Sequence, residues 1–92
     1  DSKIKAEDWD TLSEEIDKTY NRFTARLYVL YPFSEREIRI CLLIKINLRP
    51  SKIAPLIPCA KQTLTSIRKR MYERTHNQHG NPELWDEFIR NF

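Results

Sequence analysis

Between Phe33 and Arg74, apolar residues recur every three or four positions in three successive blocks separated by only a few residues. Such spacing marks amphipathic helices, each with one stripe turned to a common core. The chain holds a single glycine, which argues against hairpins and glycine-rich phosphate-cradling loops and suits a helical protein. With 92 residues it makes one domain at most. A chain of this size buries roughly 60–65% of its unfolded surface, so the core is modest. Charged residues make up 32% and are mixed in sign, which fits a folded, soluble domain rather than disorder. No apolar run approaches the ~20 residues of a membrane span. The sequence opens at Asp1 with no methionine and no signal-peptide pattern, and it reads as a piece of a longer protein.

The ends of the helices can be read from their punctuation. Residues 1–6 are polar and read as a frayed terminus. From Glu7, the stripe Trp9, Leu12 and Ile16 predicts a first helix, with Glu7, Asp8 and Asp10 where the helix dipole favours acids. Asn21 is the expected N-cap of a second helix carrying Phe23, Leu27 and Leu30, and Pro32 ends it. Ser34 and Glu37 form an S-x-x-E capping box that opens the third helix, with Ile38, Cys41, Leu42 and Ile44 on one face. Asn47 suits its end, because asparagine tolerates the left-handed conformation. A short fourth helix follows around Pro50–Ile57. Pro50 fits a first turn, whereas Pro55 fits an interior position badly unless Ser51 is the cap. A fifth helix runs from about Lys61 to Arg74, with Leu64, Ile67 and Met71 as its buried edge. Residues 75–80 read as loop. Asn81-Pro82 then opens a last helix with a broad apolar face of Leu84, Trp85, Phe88, Ile89 and Phe92.

The charge is not evenly spread. Residues 33–74 hold ten Lys/Arg against three Asp/Glu, while both flanks are net acidic. A concentrated basic segment attracts polyanions. Gln62, Thr65, Ser66 and Lys69 fall opposite the buried edge of the fifth helix at 100° per residue. In a major groove, Gln62 would pair with adenine, Lys61 would reach guanine or a phosphate, and Thr65 and Ser66 would bond base edges or touch a thymine methyl. Arg68, Lys69 and Arg70, with Arg49 and Lys52 from the preceding helix, are expected on phosphates. Other chemistry finds little support. Cys41 and Cys59 sit in apolar contexts and read as small hydrophobes in a reducing compartment. His76 and His79 lack a third ligand for a metal. Glu14, Glu15 and Asp17 read as a solvated face, and no nucleophile–base pair can be assembled. No enzyme activity, metal, cofactor or small-molecule substrate is expected.

Phe33–Tyr72 resembles, without gaps, the C-terminal helix-turn-helix of LuxR/GerE-type bacterial regulators. The family pattern opens L-T-x-R-E, continues G-L-S-N-x-E-I-A, and closes S-x-x-T-V-x-x-H-x-x-R-I. Phe33-Ser34-Glu35-Arg36-Glu37 is similar to the opening, Asn47–Ala54 to the middle, and Lys61–Met71 to the recognition helix. Ala60 stands where the family has a capping serine, Pro58 replaces the turn glycine, and Pro55 falls inside the second helix of the motif. The flanks, with Trp9, Phe23, Tyr31-Pro32 and Trp85–Ile89, resemble a subgroup in which this module ends a long sensor protein. The resemblance implies an all-α fold of about six helices: a helical lead-in over 1–32, a DNA-binding core over 33–76, and a loop with a bracing or dimerising helix over 77–92. It also implies sequence-specific binding of double-stranded DNA by the helix at about 61–74, as the cytoplasmic output end of a sensor-linked, membrane-associated bacterial transcription regulator. The implied partners are duplex DNA, the upstream sensor region, and a second copy docked through the C-terminal helix. The competing expectation is a degenerate motif that serves as a protein–protein docking or dimerisation module.

Overall fold

The computed structural model describes residues 4–92, and among them the fold is all-α with six helices. In chain order these are α1 (Ala6–Thr19), α2 (Phe23–Leu30), α3 (Glu35–Lys45), α4 (Pro50–Leu56), α5 (Lys61–His76) and α6 (Pro82–Asn91). The frayed stretch expected over residues 1–6 lies half outside the described residues, and Ala6 already opens α1. None of the described helices is long and apolar enough to cross a membrane.

The core is built around α3. Ile38 and all five residues from Ile40 to Ile44 are buried. A single buried face was expected, but α3 contacts α1, α4 and α6, so water reaches little of its circumference. Its first turn has the capping box: Ser34 Oγ accepts from the Glu37 amide at 3.1 Å, and the Glu37 carboxylate accepts from the Ser34 amide at 2.8 Å. Its last turn closes as a Schellman motif. Asn47, at φ 69°, donates its amide to Ile44 O, and Leu48 donates to Leu43 O.

Two expectations at helix ends need correction. Asn21 does not cap α2; Asn21 and Arg22 both lie in the left-handed region, and Arg22 is the last residue before the helix. The cap comes instead from Asp17 near the end of α1, whose carboxylate accepts from the Thr24 amide at 2.8 Å and from the Thr24 hydroxyl. Leu30 was expected beside Phe23 and Leu27, yet it is 37% exposed while those two are fully buried. α4 begins at Pro50, in the first-turn place its sequence suits, so Ser51 is not the cap and Pro55 lies inside the helix. Ser51 and Pro55 are both exposed, so water can take the carbonyl that Pro55 leaves without a donor.

α6 packs mainly on α5 and then on α3. Asn81 caps it by accepting from the Leu84 amide at 2.9 Å. Trp85 and Ile89 are fully buried, and Phe88 and Phe92 pack against them from the edge of the core. Cations hold its far end: Lys45 donates to Ile89 O and Arg90 O, and Arg26 donates to Phe92 O. The loop before α6 passes close to α5. A side chain at Gly80 would put its Cβ 2.2 Å from the Tyr72 ring, so glycine is required there.

Two caps of different construction give a test. Ser34→Ala removes one local cap and should cost about 1 kcal/mol in denaturant unfolding. Asp17→Ala removes two bonds that tie α1 to α2 and should cost about 1–2 kcal/mol.

Candidate nucleic-acid interface

α5 divides its circumference cleanly. Leu64, Ile67, Arg68 and Met71 are buried, while Lys61, Gln62, Thr65, Ser66, Lys69 and Arg70 are all exposed. At 1.5 Å per residue the helix is about 24 Å long, so it extends well beyond one groove crossing. Arg49 and Lys52 on α4 are also exposed. Thus eight of the nine residues expected to meet nucleic acid lie open to solvent. α4 and α5 are joined by the short turn Ile57–Ala60, and Cys59 helps fix that turn by donating its amide to Ala54 O. Ala60 precedes α5 with no side-chain cap, so the first amides of α5 have no side-chain acceptor.

Arg68 is the exception and a correction: it does not lie open to a phosphate. It is buried, and its guanidinium forks onto Asp86 of α6, with Nε donating at 3.0 Å and Nη2 at 2.6 Å. One turn from Leu64 and Met71, Arg68 lies on the inward side of the helix. The sequence carried a signal for this. Asp86 is an acid next to Trp85 on the apolar side of α6, and such a group needs a cation from the facing helix.

The open cations are unopposed among the described residues. Among the described residues, the ion pairs involve Lys18, Arg39, Arg68, Arg74 and His79. None involves Arg49, Lys52, Lys61, Lys69 or Arg70. Arg74, further along α5, is partly exposed but pairs with Glu37 of α3 at 3.5 Å. Glu73 lies one turn beyond Lys69 with its carboxylate 3.7 Å from His79, and it ends the cationic stretch. The exposed acids Glu7, Asp8, Asp10, Glu14 and Glu15 are on α1, which leans on α2 and α3 rather than on α5.

The remaining reactive groups are engaged in packing. His76 stacks on the Tyr72 ring at 4.0 Å and meets Phe88 edge-on. Cys41 is fully buried, 4.0 Å from the Met71 sulfur, and burial pushes its thiol far above the usual range. Cys59 is half-buried, and neither cysteine is in a disulfide. Comparison with known protein families, curated proteins and solved structures finds no match to this chain.

Two outcomes follow. Asp86→Ala leaves the Arg68 charge buried without a partner and should cost about 3–5 kcal/mol, whereas replacing both by Met and Leu should be close to neutral; denaturant unfolding of the three proteins checks this. A thiol reagent should modify one cysteine per native chain, Cys59, and both only after unfolding.

Proposed function

We propose that this chain binds double-stranded DNA sequence-specifically, with α5 lying in the major groove. The observation that carries the reading is the outer face of α5. Lys61, Gln62, Thr65, Ser66, Lys69 and Arg70 are exposed on one rod, and Lys61, Lys69 and Arg70 have no carboxylate partner among the described residues. A helix fits the groove, which is about 12 Å wide. In that placement Gln62 reads an adenine edge, and Thr65, Ser66 and Lys61 reach neighbouring edges. Lys69, Arg70, Arg49 and Lys52 neutralise phosphates and supply salt-dependent affinity.

The resemblance of Phe33–Tyr72 to LuxR/GerE-type output domains supports a wider setting. In it the chain is the cytoplasmic end of a sensor-linked bacterial regulator, and two copies sit on half-sites about 34 Å apart. The apolar face of α6 is turned toward α3 and α5. A dimer through α6 would therefore use its outer residues Glu83, Leu84, Glu87 and Arg90, all exposed.

A salt titration against mixed duplex DNA tests the reading. Four cations on phosphates predict a log–log slope of about −3 to −4. Lys69→Ala should weaken all duplexes alike and reduce the slope by about 1, while Gln62→Ala should relax preference at one base position. Absence of binding even at low salt would point to the docking module instead. Uniform loss from Gln62→Ala would remove its base-reading role.

A further inference from the structure

Away from the outer face of α5, a cleft of about 330 Å³ opens between α1, α3 and the end of α4. Its volume is at the low end for small-molecule sites, which begin near ~300 Å³. The floor and walls are apolar: Trp9 from α1, Leu56 at the end of α4, and Ile57 and Pro58 in the turn that follows. The rim belongs to α3 and carries Arg36 and Arg39 with one acid, Glu35.

Arg39 is held in place at this mouth. Its guanidinium carbon lies 5.1 Å from the Trp9 ring centroid, and Nη2 is 3.3 Å from Glu35. The Arg39 side chain is only 31% exposed, whereas that of Glu35 is 80% exposed. An exposed pair of this kind is weak, so Glu35 can give way to a ligand carboxylate whose apolar body also gains burial, while Trp9 keeps the guanidinium over the cleft. A guanidinium presents paired N–H donors that match a carboxylate, and the bond strengthens where one side is dry.

We propose that this cleft binds a small amphipathic carboxylate, with its apolar body on Trp9, Leu56 and Ile57 and its carboxylate on Arg36 and Arg39. The size of the cleft limits the ligand to about one ring or a short branched chain. A neutral molecule of the same shape leaves the guanidinium pair without an acceptor and binds less well. The assignment uses none of the residues placed on DNA, so it stands or falls separately from the DNA reading.

The test is a titration of the isotope-labelled 92-residue chain with 3-phenylpropionate and, in parallel, with the neutral 3-phenylpropanamide, followed by NMR. The expected result is saturable shifts at the Trp9 indole and at the Leu56, Ile57 and Arg39 amides, with a Kd of about 1 mM for so small a probe. The amide should bind about tenfold more weakly. Arg36→Gln should remove most of that preference while leaving amide binding unchanged. Arg39→Gln is the second variant, with its circular dichroism compared to the parent to confirm folding. Four outcomes would overturn the proposal: shifts that do not saturate, shifts that map elsewhere, equal binding of acid and amide, or a preference unchanged in both variants.

Discussion

The buried fork between Arg68 and Asp86 is the constraint on which the rest of the structure depends. Two charges leave water together, and each is tolerated only because the other meets it in bidentate geometry. An apolar contact between α5 and α6 would allow sliding and rotation. A planar fork permits much less of either. With Arg68 held inward beside Leu64 and Met71, the 100° step per residue of the helix sends Gln62, Thr65, Ser66 and Lys69 outward. The residue that breaks the basic pattern is therefore the one that aims it.

Around that fork, the remaining contacts settle the ends of the helices. Asn81 starts α6, and Lys45 and Arg26 hold its last carbonyls, so the helix is fixed at both ends. Lys45 also lies over the Tyr20 and Phe23 rings, and burial, with Arg26 nearby, pulls its ammonium below the usual lysine range. Phe33, Trp85, Phe88, Phe92 and Phe23 follow one another in edge and tilted contacts, which joins the lead helices to α6. The lead helices and the last helix thus share one core with α3. The densest run of exposed acids is on α1, and the cations unpaired among the described residues lie on α4 and α5. That separation gives the molecule two unlike faces although its net charge is only +3.

Much of this was legible in the sequence because it is written locally. Ser34 and Glu37, Asn47, and Asn81-Pro82 each act within one turn of chain, and each does what its spacing predicts. What was not legible depends on residues far apart or on competition between neighbours. Asp17 reaches seven positions ahead to cap α2, so the nearer Asn21 was the wrong choice. The burial of Ile40 to Ile44 on more than one side of α3 depends on three other helices and has no signature in its own stripe. Arg68 looked like its neighbours Lys69 and Arg70 because charge alone does not give direction. The angle of each residue to Leu64, with Asp86 on the facing helix, separates the three. The outward placement of Gln62, Thr65, Ser66 and Lys69 follows from periodicity, and the inward placement of Arg68 needed the partner helix.

The central claim is that the outer face of α5 is the surface that meets duplex DNA. The most direct measurement is the map of backbone amide shifts as a short duplex is titrated into the labelled protein at low salt. The account predicts that the largest shifts fall between Lys61 and Arg70, with a second group at Arg49–Lys52, and that α1 stays unmoved. Shifts centred on α1 or α2, or none at all, would contradict it.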